Sequence, residues 1–325
     1  MGVNLGEIVS KKKIDISDLK GKSVAIDAYN ALYQFLAIIR QRDGTSLKNS
    51  KGEITSHLSG LFYRSVNFIE QGISPIYVFD GNPPELKFQT IEKRKEIKEE
   101  AREKFIDAKS RGDLTEAKKY SQMTSFLKED MVTSSKELLK SMGIPYIKAP
   151  SEGEAQASCM TSAGEVRYVA SQDYDTLLFG APLLVRNLTV SGKRRLHGRM
   201  ITVQPEIIRL DEVLSGLHLT REQLIDVAIL VGTDFNEGAA GVGAKKALKK
   251  VISGDFEEIV SAKMPDFDPG PVREFFMHPP AQTGTPLSWN RPDYDGILSF
   301  LCDRYGFSEE RISPVLTKIT GKGKQ

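Results

Sequence analysis

The feature that most constrains this chain is a series of short apolar segments that alternate with helix-like segments. The apolar runs have the length of buried strands and lie at residues 23–27, 75–80, 145–147 and 166–170. Residues 30–40 and 58–71 carry apolar side chains at helical spacing, and Gly72 ends the second of these helices. This alternation predicts an α/β fold, in which a mostly parallel central sheet is flanked by helices.

Composition excludes several classes of protein. The 325 residues are 40% apolar, which suits one large α/β domain with an appendage, and the net charge of +2 means that any basic surface must be local. Cys159 and Cys302 form neither a disulfide framework nor a zinc pattern. Because no apolar run could span a membrane and the N-terminus lacks a signal-peptide pattern, we expect an intracellular protein. It would lie in the cytoplasm or nucleoid of a prokaryote, or in the nucleus of a eukaryote. The sequence does not indicate the oligomeric state, and a monomer is the default expectation.

Changes in composition divide the chain. Residues 85–130 are rich in Lys, Arg and Glu and predict a helical insertion that projects from the core, although two surface helices joined by salt bridges would share this pattern. Residues 219–260 are helical and complete a core of residues 1–260. We expect residues 261–325 to form a C-terminal helical region with a basic tail. The Pro-rich stretch 265–295 has no function that the sequence indicates.

Acidic residues follow the predicted strands and one later helix. They are Asp27, Asp80, Glu152, Glu154, Asp173, Asp175 and Asp234. Ligands of open α/β sheets bind at the carboxyl ends of the strands, so these side chains could converge in one crevice. Clustered carboxylates repel one another unless they hold cations, and Mg²⁺ prefers oxygen ligands. Two ions about 4 Å apart can activate water and stabilise both reacting oxygens of a phosphodiester.

Each acid also has a purely structural explanation. Asp27 could cap the helix that follows it. Ser151 and Glu154 match a capping box at a helix start. Asp173, Asp175 and Asp234 could belong to ordinary turns. No single acid therefore indicates a metal centre, but the occurrence of acids in five successive loops does.

A glycine turn at residues 241–247 has the G-x-G-x-x-x-A form of a helix–hairpin–helix element. Gly241 and Gly243 let the backbone turn tightly and approach a phosphate, and the helix that begins there presents free N–H groups. Four lysines follow the turn: Lys245, Lys246, Lys249 and Lys250. This pattern predicts binding to the duplex backbone without reading of sequence, and the alternative is a glycine-rich connection with surface lysines.

Two cations and one aromatic residue could complete such a site. Lys87 and Arg94 are seven residues apart and would share a helix face, from which they could stabilise charge on a phosphate. Tyr33 follows Asp27 by about one and a half helical turns, so its ring could stack on a base beside the cut. A buried core tyrosine is the alternative.

Together these segments resemble the flap endonuclease family, in particular its archaeal and eukaryotic branch. The matching stretches are MGVNL at 1–5, VAIDA at 24–28, YVFDGNPP at 77–84, APSEGEA at 149–155, SQDYD at 171–175, LVGTDF at 230–235 and the turn at Gly241. The resemblance implies that the seven acids hold two Mg²⁺ ions directly or through water, with Mn²⁺ as a possible substitute. It also implies that Lys87 and Arg94 assist catalysis at the base of a helical arch, residues 85–130, which threads a free 5′ strand.

Further roles follow from the resemblance alone. It implies that Tyr33 stacks near the scissile nucleotide, that Arg64 contacts DNA, and that a processed N-terminus at Gly2 lies close to the active site. It also allows a K⁺ ion at the glycine turn. Family members commonly carry a sliding-clamp peptide, Q-x-x-aliphatic-x-x-aromatic-aromatic, which could begin at Gln325, and we expect the full-length protein to bind the clamp.

The expected activity is hydrolysis near the base of a 5′ DNA flap, with 5′–3′ exonuclease activity, in Okazaki fragment maturation and repair. A 5′ exonuclease or a junction resolvase of the same superfamily is the nearest alternative, and a catalytically silent DNA-binding scaffold is another. A phosphatase with an Asp nucleophile is disfavoured, because Asp27-Ala28-Tyr29 lacks the second Asp two residues after the first.

Overall fold

A computed structural model describes residues 2–41, 43–124, 126–190, 192–196 and 199–321. The predicted basic tail falls mostly on residues 322–325, which lie outside the described residues. Among the described helices, none combines the length and the apolar character that a membrane crossing requires.

The chain alternates strands with helices in its first half and is mainly helical thereafter. The strands are β1 (Lys12–Lys13), β2 (Ser23–Asp27), β3 (Ser74–Phe79), β4 (Tyr146–Lys148), β5 (Tyr168–Ala170), β6 (Leu183–Arg186), β7 (Gly192–Leu196), β8 (Arg199–Val203) and β9 (Glu206–Arg209). The helices are α1 (Ala28–Ile38), α2 (Ser56–Glu70), α3 (Phe88–Ser110), α4 (Leu114–Met123), α5 (Glu129–Ser141), α6 (Gly153–Ser162), α7 (Asp175–Leu178), α8 (Leu210–Leu217), α9 (Arg221–Val231), α10 (Ala244–Ile252), α11 (Phe256–Lys263), α12 (Gly270–Met277), α13 (Tyr294–Leu298) and α14 (Glu309–Thr320).

The central sheet has the strand order β1-β9-β6-β5-β2-β3-β4. Strands β6, β5, β2, β3 and β4 run parallel, whereas β9 and β1 add an antiparallel edge. The predicted α/β class with a mostly parallel sheet is therefore confirmed, and the four predicted strands appear as β2 to β5. Strands β1, β6 and β9 and the β7–β8 hairpin were not predicted. Strand β6 is apolar but only four residues long, and the antiparallel strands lack the long apolar runs of buried parallel ones.

Helices cover both faces of the sheet. On one face, α1, α2 and α5 pack with the C-terminal helices around Phe62, Tyr77 and Leu316. On the other face, the N-terminal residues, α7 and α9 to α12 form a second core around Leu177 and Phe276. A third cluster around Ile76, Val78 and Met160 of α6 covers the second face of β2 and β3. The three clusters together cover both faces of the sheet.

The arch consists of α3 and α4, which pack against each other despite their charged composition. Small side chains make this possible, since Ala101, Ala108 and Ala117 are buried. Ala101 and Ala108 are seven residues apart and therefore lie on the same face of α3. The predicted helical insertion is present, and its contact surface is alanine rather than large apolar residues.

Helices lie at two of the predicted boundaries. The division at residue 260 falls inside α11, whose Phe256 and Val260 belong to the same core as α9 and α10. The Pro-rich stretch 265–295 contains helix α12, and after α12 the chain passes α6, where Gln282 pairs with the side chain of Gln156. Helices α13 and α14 then pack in the first core, so residues 261–321 contribute to more than one core.

A buried histidine lies between α2 and α5. The Nε2 atom of His57 is 3.0 Å from Ser134 Oγ, and Nδ1 has no hydrogen-bond partner among the described residues. Burial lowers the pKa of His57 to about 4, whereas an unfolded histidine has a pKa near 6.5. Below about pH 6.5 the unfolded chain binds this proton and the folded protein resists it, so stability is lost as pH falls from 6.5 toward 4.

We therefore expect His57→Gln to reduce the pH dependence of stability. Between pH 7.5 and 4.5 the parent should lose about 2 to 3 kcal/mol of unfolding free energy more than the variant, because that loss belongs to His57 alone. Urea unfolding at both pH values measures it. Equal losses in parent and variant would mean that His57 titrates normally in the folded protein.

Candidate active site

The parallel strands bring four acid-bearing segments to one edge of the sheet. Asp27 is the last residue of β2 and pairs in register with Val78 of β3, and Asp80 follows β3 by one residue. Glu152 and Glu154 follow β4, and Asp173 follows β5. Asp175 begins α7 in the same loop. These residues, with Asp234 from the turn after α9, form a carboxylate pocket.

Burial and mutual repulsion dominate the first half of this pocket. Burial, reinforced by the charge of Asp80, raises the pKa of Asp27 well above its usual value. Burial and the charge of Glu152 raise the pKa of Asp80 to about 6. Backbone N–H groups offset part of this cost, since Asn30 N donates to Asp27 over 2.9 Å and Gly153 N donates to Asp80 over 2.7 Å.

The second half of the pocket has the same character. Burial, followed by the charges of Asp173 and Asp27, raises the pKa of Glu154 well above its usual value. Burial and the charge of Asp234 raise the pKa of Asp175 to about 7. The charges of acids from β2, β3, β4 and β5 thus act on one another, which places all of them in one neighbourhood.

Two cations from the base of the arch reach into the pocket. Lys87 forms ion pairs with Glu152 and, over 3.3 Å, with Asp234, while Arg94 forms a second ion pair with Asp234. Burial alone would raise the pKa of Asp234, but these two cations hold it below its usual value. Burial alone would lower the pKa of Lys87, and the carboxylates raise it instead. Lys87 and Arg94 therefore share one carboxylate. The predicted common helix face is wrong, because Lys87 ends a 3-10 turn just before α3 and only Arg94 lies within that helix.

The capping explanations of the acids have different outcomes. Asp27 does cap α1 through Asn30 N, in addition to lying in the pocket. The capping box of Ser151 and Glu154 is wrong: α6 begins at Gly153 without a side-chain cap. The Glu154 carboxylate instead accepts hydrogen bonds from the hydroxyl groups of Ser171, in the loop after β5, and Thr176, in α7. Glu154 therefore points into the pocket and not back toward the start of its own helix.

The donor set suits a hard divalent cation. Every acid in the pocket offers oxygen, the atom that Mg²⁺ prefers. Among residues 2–321 that the structure describes, no three acidic side chains stand in a geometry that holds an ion directly. Mg²⁺ keeps several waters and is often bound through one or two carboxylates, so the pocket fits ions that are held partly through water.

The N-terminal segment closes one side of the pocket. Gly2 N lies 3.3 Å from Asp173 Oδ1, and Val3 N donates to Asp175 Oδ1 over 2.8 Å. A Cβ atom on Gly2 would lie 2.9 Å from both of these acidic side chains. The sequence-based expectation that Gly2 lies near the acids agrees with this geometry.

Tyr33 and Arg64 lie on two neighbouring helices, α1 and α2. Tyr33 is half-buried on α1, and Lys98 Nζ is 4.6 Å from its ring centroid. Burial and then the charge of Asp80 raise its pKa, so the ring stands beside the pocket. Arg64 lies on α2, where burial lowers its pKa. Tyr33 therefore borders the carboxylates, and Arg64 lies on the neighbouring helix.

The glycine turn forms a separate exposed surface. Gly241 has φ +73°, and Gly243 precedes the first residue of α10. The four lysines of this turn are exposed on α10, at positions 245, 246, 249 and 250. Lys246 and Lys263 donate to the carbonyl groups of Gly241 and Ala240 over 3.2 and 2.8 Å. Carbonyl groups of the turn thus face outward and attract cations.

Several residues that shape the pocket were missed by sequence reasoning. Asn30 donates to Asp173 from its side chain over 3.0 Å, and the guanidinium of Arg186 donates to Gln172 O over 3.1 Å and contacts Tyr174. Their partners lie in the loop after β5, far away in sequence from Asn30, and no local pattern identifies Arg186. Asn30 alone left a signal, since it stands three residues after an acid that caps its own helix.

Comparisons with known proteins agree with this arrangement. Residues 1–101 match the model of the XPG N-terminal domain, and residues 143–234 match that of the XPG I-region. Flap endonuclease 1 of Methanoregula boonei is 54% identical over all of this chain and 98% of its own, and that of Pyrococcus furiosus is 53% identical over 98% and 95%.

Solved structures share the fold. Flap endonuclease-1 from Methanococcus jannaschii superimposes with a TM-score of 0.80 at 44% identity, over 98% of each chain. The catalytic core of Rad2 in complex with a DNA substrate gives a TM-score of 0.73 at 25% identity, over 98% of this chain and 100% of that one. Fold and pocket thus define a nuclease of the XPG class. Within that class, the chain belongs to the flap endonuclease 1 family.

Proposed function

We propose that this protein hydrolyses a phosphodiester near the base of a 5′ DNA flap, in a reaction that requires two divalent metal ions. Structure-specific cleavage of DNA flaps is the activity of the family to which it belongs. The observation that carries the proposal is one pocket in which buried acids from five segments meet Lys87 and Arg94. Such a pocket is costly unless cations occupy it.

The acids of the pocket would hold Mg²⁺, and Mn²⁺ would substitute. Nucleases of this family are metal-dependent, and the oxygen donor set supports this choice of ion. When bound, the ions supply positive charge and lower the pKa of an attacking water. The ligands that we propose are Asp27, Asp80, Glu152, Glu154, Asp173, Asp175 and Asp234.

The remaining pocket residues would act on the DNA itself. Lys87 and Arg94 would donate to oxygens of the scissile phosphate, where positive charge stabilises the negative charge that develops. Tyr33 would stack on the nucleotide beside the cut. The arch would admit the single 5′ strand, which explains why a flap rather than an intact duplex reaches the acids. Arg64 and the N-terminus at Gly2 would contact DNA close to the pocket.

The glycine turn would hold the duplex arm. Exposed N–H groups at the start of α10 and its lysines suit contacts with phosphates, which bind duplex without reading sequence. The outward carbonyl groups of Ala240 and Gly241 support a K⁺ ion between the turn and a phosphate. Roles in replication and repair, and binding of a sliding clamp by the full-length protein, remain predictions from family membership.

Removal of one proposed metal ligand tests the metal centre. Asp175→Ala should abolish cleavage of a 5′-flap substrate in Mg²⁺, by about a thousandfold or more, because several kcal/mol of transition-state stabilisation are lost. Flap binding should survive. The exposed Asp211→Ala is the matched control, and EDTA should abolish cleavage by both parent and control. Cleavage by Asp175→Ala at the parental rate would exclude Asp175 as a ligand.

Removal of the arch cations tests their role in catalysis. Lys87→Ala and Arg94→Ala should each slow single-turnover cleavage by about a hundredfold or more while binding changes little, since their charge matters most in the transition state. Lys93→Ala is the control: Lys93 lies beside Arg94 and pairs with the exposed Glu237. Weaker binding with unchanged single-turnover rates would make Lys87 and Arg94 docking residues.

Removal of two turn lysines tests the duplex contact. The double variant Lys245→Ala and Lys249→Ala should weaken binding of all flap sequences equally and reduce the slope of log affinity against log salt by about 2. The control is the double variant Lys20→Ala and Lys140→Ala. These two lysines lie before the amino ends of β2 and β4, whereas the pocket lies at the carboxyl ends of the strands. An unchanged salt slope in the Lys245 and Lys249 variant would place the duplex elsewhere.

A further inference from the structure

A chain of side-chain hydrogen bonds leads from the loop after β6 to the carboxylate pocket. Thr189 Oγ1 donates to Gln34 Oε1 over 2.7 Å. Gln34 Nε2 donates to Asn30 Oδ1, and Asn30 Nδ2 donates to Asp173 Oδ2 over 3.0 Å. We propose that Thr189, Gln34 and Asn30 form a relay that positions Asp173 for the divalent ion; this inference rests on the function proposed above.

Chemistry fixes the direction of every bond in this relay. An ionised carboxylate only accepts hydrogen bonds, so Asn30 must turn its NH₂ group toward Asp173 and its oxygen toward Gln34. Gln34 must then present its own NH₂ group to Asn30 and its oxygen to Thr189, whose hydroxyl can donate. Each amide has a single allowed orientation, which the Asp173 carboxylate sets, and the Thr189 hydroxyl completes the relay as its final donor.

Asn30 also contacts a second acid. Its backbone N–H donates to Asp27, which ends β2, while its side chain reaches the acid that follows β5. One residue therefore fixes the relative position of carboxylates from two adjacent strands. A metal site tolerates little displacement of its ligands, and the partners that orient ligands change affinity by about 10- to 100-fold when they are removed.

The end of the relay that is remote from the carboxylate pocket is shielded from solvent. Thr189 is buried in the turn that follows β6, and Gln34 is half-buried on α1. Burial excludes water that would otherwise replace each partner, so a missing hydrogen bond is not restored by solvent. The effect of Thr189 and Gln34 on the position of Asp173, and so on metal affinity, should therefore be measurable even though neither residue is a proposed ligand.

Metal binding without DNA tests this inference directly. The probe is Mn²⁺, titrated into the protein and followed by the EPR signal of the free ion. Asn30→Leu should weaken Mn²⁺ binding by about tenfold or more, and Gln34→Met and Thr189→Val should weaken it by progressively smaller factors. Gln41→Met, at an exposed position, is the control and should bind like the parent. High Mg²⁺ should restore single-turnover cleavage of a 5′ flap by the relay variants.

Thermal unfolding of the same proteins separates positioning from stability. If the relay variants lower the melting temperature but bind Mn²⁺ like the parent, the residues are structural and the inference fails. Thr189→Val changes shape least, so it decides the question if Asn30→Leu does not fold. If the parent itself binds no Mn²⁺, the metal site and the relay fall together; parental binding with unchanged variants overturns the relay alone.

Discussion

Repulsion between buried carboxylates is the constraint on which this structure depends. Parallel strands deliver Asp27, Asp80 and Asp173 to one edge, and burial with mutual charge raises the pKa of the most enclosed acids. An acid cluster of this kind opposes folding unless donors and cations offset it. The pocket is therefore surrounded by groups whose common property is that they donate hydrogen bonds or carry positive charge.

Those compensating groups come from parts of the chain that would otherwise have little reason to meet. The N-terminal segment supplies backbone N–H groups through Gly2 and Val3, the loop after β5 supplies hydroxyl groups, and the arch supplies Lys87 and Arg94. The base of the arch is thus anchored by the acids themselves. A phosphate that enters the pocket competes with the acids for Lys87 and Arg94, and a metal ion competes with these two cations for the acids. The position of the arch and the occupancy of the pocket are therefore coupled electrostatically.

Sequence reasoning succeeded where the signal was local. Strands β2 to β5 each coincide with a short apolar run, and an acid that follows such a run can be identified without knowledge of the partner strand. It failed where a side chain's role depends on a distant loop. Glu154 fits a capping box by spacing, yet Ser171 and Thr176 bind it 17 and 22 residues later. The antiparallel edge strands and the alanine contact within the arch were missed because neither has an apolar pattern.

Asn30 shows how far such reasoning could have gone. Asp27 caps α1 by accepting the N–H group of Asn30, and this bond fixes Asn30 on the first turn, directly above the strand end. An amide at that position cannot point into the core without a partner, because a buried polar group without a hydrogen bond is costly. The nearest partner is another acid of the pocket. A polar residue three positions after a strand-end acid is therefore a sequence signal for a group that orients ligands, even though its partner, 143 residues away, can be identified only from the fold.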